Sequence, residues 1–174
     1  MSDTPIVDFY HGKIPDSGDR FIGEIHGWDH GKLEYHHDFI QWLFPLRQPS
    51  PINPLAPTFD DNQIAIFKND PELQKKMVTS FFLMLDFYGF EIEPGAELKV
   101  RKSQNWEERR GNWLRPRNHN FLRITRILTS LCLVGLNRYA TSFFEALEKL
   151  TRSEEGKNIS PESFTYWQKA LSEK

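Results

Sequence analysis

The sequence predicts an all-α protein, folded as a single compact bundle of about six or seven helices with an irregular N-terminal arm and a proline-rich strap. Apolar residues recur every three or four positions along several stretches, and proline and glycine fall at the ends of those stretches. Only residues 98–102 alternate in the manner of a strand. At 174 residues the chain has the size of one domain with a sizeable core, so we expect a single domain over 1–174.

The first third of the chain divides into three segments. Residues 1–32 are rich in Gly, Pro and Asp, which predicts an irregular arm held by its aromatic side chains. Residues 33–44 predict one deeply buried helix, because apolar side chains cover most of its circumference and Pro45 ends it. Five prolines across residues 45–57 then predict a stiff strap over the surface.

Helix start and stop signals mark the middle of the chain. Thr58 is expected to cap a short helix over 59–68, and Asp70 with Pro71 to begin a long one that runs to Gly89. Residues 98–102 are at most an isolated extended piece. Ser103 is expected to cap a short basic helix over 104–112.

Residues 118–135 predict the central helix of the fold. A broad apolar side faces one way, and Gly135 is a helix stop. A narrow polar strip lies on the other side, formed by His119, Arg123, Arg126 and Ser130. Two further amphipathic helices follow, over 137–152 and from the strong start at residues 160–162, with fraying expected within 153–174.

Composition and charge limit the classes of function. A net charge of −2 argues against a generally nucleic-acid-binding protein. Cys132 is the only cysteine, so no disulfide can form within the chain, and a reducing compartment is expected. Residues 1–5 lack a charged-then-apolar leader, and no apolar run reaches the length of a membrane span. We therefore expect an intracellular, cytoplasmic protein; its oligomeric state is left open between monomer and dimer.

Three sequence blocks resemble a known family. Leu33, Glu34, His37 and the run IQWLFP at 40–45 resemble the "LE..H..IQWLFP" block in the N-terminal domain of the opioid growth factor receptor family. FYG at 87–89 and HNFLRITRIL at 119–128 are similar to two further blocks, in the same order and at similar spacing. Phe121 departs from the third block, where the family has Asn. The resemblance covers about residues 8–150.

The resemblance implies a binding or regulatory module rather than an enzyme. Animal members are named for binding an enkephalin-type opioid peptide and are associated with perinuclear and nuclear compartments. We therefore expect a receptor-like, signalling domain with a peptide or protein partner and no cofactor. On physical grounds such a peptide would bring its terminal carboxylate to Arg123 or Arg126 and an aromatic ring to a nearby apolar groove.

The polar strip allows three interpretations. It can be a solvated helix face; a structural network in which Arg123 and Arg126 pair with Glu34, Asp38 or Gln41; or an anion site for a ligand. The candidate ligand-binding residues are His119, Arg123, Arg126, Glu34, His37 and Gln41.

Metal and catalytic chemistry find little support in the sequence. Glu34 and His37 have the i, i+3 spacing of dinuclear metal bundles, but no second pair exists on another helix, so no metal site is predicted. Cys132 lies on the apolar side of its helix and is a poor nucleophile. An unrecognised enzyme with His37, His119 and Glu34 around a pocket is kept as an alternative.

Nucleic acid is the other alternative ligand. Residues 99–117 interleave cations with tryptophan, which suits phosphate contact and base stacking. The candidates are Lys99, Arg101, Lys102, Trp106, Arg109 and Arg110. Under the competing interpretation, Trp106 and Trp113 face the core while the arginines are solvated or ion-paired.

Overall fold

The computed structural model describes residues 2–174, and these residues are predominantly helical, as the sequence predicts. The prediction of six or seven helices is too low: residues 2–174 contain ten α-helices and one short antiparallel hairpin. Several helices have only four to six residues and depend on packing, so periodicity does not reveal them. No helix within residues 2–174 is long and apolar enough to cross a membrane.

The chain folds into two compact units, Met1–Phe81 and Phe82–Lys174. The first contains α1 (Pro5–Tyr10), α2 (Ile22–His26), α3 (His30–Tyr35), α4 (Ile40–Leu43), α5 (Asp61–Asn69) and most of α6 (Pro71–Tyr88). The second contains the end of α6, β1 (Phe90–Ile92), β2 (Val100–Lys102), α7 (Trp106–Trp113), α8 (Asn120–Leu133), α9 (Asn137–Thr151) and α10 (Pro161–Ala170).

The N-terminal arm is more regular than predicted, since it contains α1 and α2. Neither helix would be stable alone at six and five residues, so burial of apolar side chains must supply the free energy. Phe9 and Tyr10 of α1 are fully buried, and the Phe9 ring lies 5.2 Å from that of Trp42.

The predicted helix over 33–44 is wrong: two short helices, α3 and α4, stand in its place. The chain becomes extended at His36, whose ring stacks on Trp28 at 4.7 Å. Just beyond, Asp38 forms an ion pair with Arg20 at 2.9 Å. Tertiary contacts therefore interrupt a stretch that contains no sequence breaker.

The proline-rich strap is confirmed as a segment without helix or strand between α4 and α5. It is held at Asn53, whose amide donates to the carbonyl oxygen of Asp38 at 2.8 Å. The cap of α5 is Asp60, not Thr58: the Asp60 carboxylate accepts the Gln63 N–H at 2.9 Å. The cap of α6 is Asp70, as predicted, and its carboxylate accepts the Glu72 N–H at 2.9 Å.

Gly89 ends α6 for two reasons. Its φ of +89° lies in the left-handed region, and a Cβ there would lie 3.1 Å from the Cα of Trp106. β1 follows at once and pairs with β2 in antiparallel register, so residues 98–102 are not an isolated extended piece. α7 then begins at Trp106 with Asn105 as its N-cap; the predicted helix start, with its cap at Ser103, comes too early.

The central helix α8 has the predicted apolar face and the predicted stop. Gly135 has a φ of +82°, the Gly135 N–H donates to the Cys132 carbonyl oxygen at 3.1 Å, and the Leu136 N–H donates to that of Leu131 at 2.9 Å. This is a Schellman motif.

The terminal helix α10 starts at the predicted cap, Ser160, whose hydroxyl accepts the Ser163 N–H at 3.0 Å. Its Trp167 is fully buried and donates an indole N–H to the Phe121 carbonyl oxygen at 3.0 Å. The rings of Phe121 and Trp167 also meet edge to face, 5.9 Å apart.

Candidate functional site

Burial varies along the predicted cationic strip of α8. His119 is exposed at the start of the helix and Arg126 is half-buried, whereas Arg123 and Ser130 are 5% and 0% exposed. A solvated polar face is therefore the wrong description for Arg123 and Ser130. Asn120, fully buried, lies beside Arg123, with its side-chain oxygen 3.5 Å from a guanidinium nitrogen.

The electrostatics of the strip follow from this burial. Desolvation lowers the pKa of Arg126 to about 10, so its guanidinium is still charged at neutral pH. The Ser130 hydroxyl has no hydrogen-bond partner among residues 2–174, although it is fully buried. Whether the arginines form a structural network or an anion site stays a prediction.

The candidate residues of the first unit lie on separate elements. Glu34 is half-buried on α3, His37 is exposed in the break after it, and Gln41 is buried on α4. The Gln41 amide donates to the His37 carbonyl oxygen at 3.2 Å, and its own side-chain oxygen has no partner among the described residues. Because the helix is interrupted, Glu34 and His37 do not share the helical i, i+3 geometry of a dinuclear metal motif.

Metal-ligating side chains do not cluster in the part of the chain that the structure describes. Within residues 2–174, no group of three or more His, Cys, Asp or Glu side chains could hold a metal ion. The enzyme alternative with His37, His119 and Glu34 stays a prediction.

A carboxylate distant in sequence, Glu155, is the counterion for part of the basic segment. Glu155 accepts the Lys102 ammonium at 2.8 Å and the Trp106 indole N–H at 2.7 Å, and an Arg110 guanidinium nitrogen lies 3.7 Å away. These two hydrogen bonds lower the pKa of Glu155, and the one from Lys102 has the larger effect. The Lys102 ammonium also sits 4.8 Å from the centre of the Trp106 ring.

Two further cations of this segment, Arg101 and Arg109, bind other groups of the protein, and a third, Lys99, is exposed. Arg101 forms an ion pair with Glu91 at 3.3 Å. Arg109 is buried, donates to the Phe87 carbonyl oxygen at 2.8 Å and lies over the Phe87 ring.

The tryptophans of this segment, Trp106 and Trp113, are both buried, which matches the interpretation that they face the core. The nucleic-acid hypothesis stays a prediction; among its candidate cations, Arg101, Lys102 and Arg110 form ion pairs with carboxylates.

A groove of about 610 Å³ lies beside the hairpin in the second unit. We call it the acidic groove, because its charged lining residues are two carboxylates, Asp86 and Glu91. The full lining is Phe82, Leu85, Asp86, Phe90, Glu91, Ile92, Ser103, Gln104 and Asn105. Its volume and its apolar side chains with a few polar groups are typical of ligand sites.

A second groove, of about 520 Å³, has the opposite charge. We call it the basic groove, since Lys99, Arg101, Lys102 and Lys149 outnumber its one carboxylate, Glu93. Apolar residues lie between these charges. Phe90 lines both grooves, so the hairpin has oppositely charged concave surfaces at its flanks.

Sequence reasoning missed a polar chain inside the first unit. An imidazole nitrogen of His26 lies 2.8 Å from the Ser80 hydroxyl, which lies 2.9 Å from the Tyr10 hydroxyl, and Tyr10 donates to the Leu43 carbonyl oxygen at 2.5 Å. No local signal could reveal the chain, because His26 and Ser80 are 54 residues apart. Ser80 is fully buried within α6, so this pair is structural rather than a nucleophile and its base.

Fold and grooves together define a predominantly helical domain with two oppositely charged concave surfaces beside its hairpin. Residues 2–174 match the opioid growth factor receptor (OGFr) conserved region, and the chain belongs to this family. It is 40% identical over 143 residues to the opioid growth factor receptor of Homo sapiens. It is 36% identical over 143 residues to opioid growth factor receptor-like protein 1 of Mus musculus.

These alignments cover most of this chain and little of the relatives. The human match spans 79% of this chain and 20% of the human protein; the mouse match spans 80% and 30%. The chain thus corresponds to less than a third of either relative. No solved structure matches it.

The structure explains why two family blocks belong together. Tyr88, from FYG, donates its hydroxyl to the side-chain oxygen of Asn120, from the third block, at 3.2 Å. The Tyr88 carbonyl oxygen accepts the Trp113 indole N–H at 3.0 Å. Both blocks therefore meet in the core of the second unit.

Proposed function

We propose that this domain is a peptide-binding module and that the acidic groove receives the ligand. The observation that carries the proposal is the groove itself. Phe82, 44% exposed, and Ile92, half-buried, offer apolar surface next to the carboxylates of Asp86 and Glu91. An aromatic side chain of a peptide would lose water against the apolar part, and a peptide ammonium would lie near the carboxylates.

The names of the relatives indicate the class of peptide. Proteins named opioid growth factor receptor or opioid growth factor receptor-like are 36–43% identical to this chain where they align. We propose an enkephalin-like peptide as the nominal ligand and a receptor or regulatory role for the domain. The single cysteine, Cys132, supports the further proposal that the protein acts inside the cell, cytoplasmic or nuclear.

The test is direct binding of a labelled enkephalin peptide, measured by fluorescence anisotropy, to the wild-type protein and two variants. Phe82→Ala removes an exposed aromatic wall of the groove and should weaken binding about tenfold or more. Leu122→Ala is the matched control, since Leu122 is 63% exposed on α8 and does not line the groove. Equal affinities for all three proteins would refute the assignment of the groove.

A further inference from the structure

Strand β1 lines the acidic groove, and one of its two edges faces away from β2. The Ser103 N–H donates to the Gly89 carbonyl oxygen at 2.9 Å, and the Glu93 N–H to that of Lys99 at 2.7 Å. With Glu91 opposite Arg101, this register puts positions 89, 91 and 93 in the pairs that exchange hydrogen bonds with β2. The N–H and C=O groups of Phe90 and Ile92 must then point away from β2.

The outer edge of β2 shows the same alternation but is partly occupied by a side chain of α9. The Val100 N–H points away from β1 and donates to the Ser142 hydroxyl at 3.0 Å, and that hydroxyl donates to the Leu98 carbonyl oxygen at 3.1 Å. One serine side chain of α9 thus occupies one donor and one acceptor of this edge. Among residues 2–174 the sheet has no third strand. Phe90 is only 3% exposed, so its outward groups are covered, whereas Ile92 is partly exposed and is the position of this edge at which a further strand could pair.

We infer that β1 accepts an extended peptide segment as a third strand, with an apolar side chain in the acidic groove and a positive charge beside Asp86 and Glu91. The inference rests on the proposed function and specifies the conformation and charge of the ligand. Strand addition suits this edge because main-chain hydrogen bonds supply affinity and the pocket beside them supplies specificity.

Charge complementarity selects the occupant. The charged lining residues of the acidic groove are two carboxylates, of which Glu91 pairs with Arg101 at 3.3 Å. A lysine, an arginine or an N-terminal ammonium of the peptide therefore gains attraction from Asp86 and shares Glu91 with Arg101. An acidic segment would meet repulsion. Since successive side chains of a strand alternate between faces, the ligand should place apolar residues at every second position.

The experiment uses a defined probe: a short synthetic peptide that alternates lysine with phenylalanine and valine, labelled for anisotropy. Ile92→Pro deletes an outward N–H and no hairpin hydrogen bond, because proline is accommodated where an edge N–H faces outward. This variant should bind the probe about tenfold more weakly, the effect of one or two lost hydrogen bonds. Ile92→Val keeps the N–H and an apolar side chain, so it should bind like the wild-type protein.

A second measurement does not depend on the variant's folding. A probe with N-methylated backbone amides at alternate positions should bind wild-type protein about tenfold more weakly, while methylation of the other set should have little effect. With the unmodified probe bound, the amide of Ile92 should gain protection from hydrogen exchange.

The following results would contradict the inference. Unchanged binding by Ile92→Pro or by both methylated probes would exclude strand addition, and equal binding of a glutamate-substituted probe would exclude the charge assignment. If the free protein dimerises and Ile92→Pro abolishes the dimer, a second copy occupies the edge instead. If Phe82→Ala loses peptide binding and Ile92→Pro does not, the groove binds peptide without strand addition, so only the further inference fails. If neither this probe nor the enkephalin peptide binds, both proposals fail.

Discussion

Acidification from pH 7.5 to pH 5 should lower the free energy of unfolding by more than the protonation of carboxylates explains, because His26 is largely buried in its neutral form. Burial, with a smaller effect of the nearby Lys76 charge, lowers the pKa of His26 to about 4 from an ordinary value of 6.5. With Tyr10 donating to Leu43, Ser80 can donate to Tyr10 and a His26 N–H to Ser80. Because burial disfavours the charged form, the imidazole stays neutral in the folded state well below pH 6.5.

The sign and size of the effect follow from proton binding. Between pH 6.5 and 4, the unfolded chain binds a proton at His26 and the folded chain does not, so stability falls as the pH falls. The contribution of neutral His26 to stability is fully present above pH 6.5. The loss is about 2 kcal/mol at pH 5 and about 3 kcal/mol at pH 4 and below, from the two pKa values.

The assay is urea unfolding, followed by tryptophan fluorescence, of wild-type protein and His26→Gln at pH 7.5 and pH 5. Glutamine keeps a donor for Ser80 and does not titrate. Every carboxylate contributes equally to both proteins, so the free energy of unfolding of the wild type should fall by about 2 kcal/mol more than that of the variant. The reasoning is refuted if both proteins lose the same stability, or if the His26 ring protons titrate near pH 6.5 by NMR.

Three further expectations concern the second unit. Gly156→Ala should destabilise the protein by about 3 kcal/mol or more, because the added Cβ would lie 2.1 Å from the backbone oxygen of Leu150, which cannot move aside as a side chain could. Thermal or urea unfolding measures this, and a wild-type midpoint would contradict it. Cys132 should react with a thiol reagent only on unfolding, since it is 3% exposed and burial raises the pKa of its thiol to about 11; stoichiometric labelling of folded protein would disprove it. Arg123→Ala should lower the free energy of unfolding by about 1–3 kcal/mol, because a buried guanidinium and its hydrogen bond to Asn120 are lost, although the Asn120 oxygen keeps the Tyr88 hydroxyl as a donor. A variant of full stability that has lost peptide binding would instead indicate an anion site at this arginine.

Local chemistry made the longer elements predictable. Helix caps at Asp70 and Ser160 and the stop at Gly135 act within one turn of the chain, so the residues that make the contacts are sequence neighbours. The break between α3 and α4 could not be predicted in this way. It depends on His36 meeting Trp28 and on Asp38 meeting Arg20, contacts that form only when the arm has folded.

The candidate sites likewise depend on contacts between residues that are distant in sequence. The sequence shows which residues carry charge in the basic segment but not that Glu155, far along the chain, binds both Lys102 and Trp106. It likewise cannot show that residues 100–102 pair with residues 90–92 to form a hairpin. The acidic groove therefore had no counterpart among the predicted residues.

The sequence by itself determined the helical class, the family and the direction in which each long helix buries its apolar face, because periodicity and capping are encoded by near neighbours. Tertiary structure alone decided which polar groups are buried, which cations are neutralised and where a concave surface forms. Those properties arise from side chains distant in sequence, such as His26 with Ser80 or Val100 with Ser142, whose proximity no local pattern records.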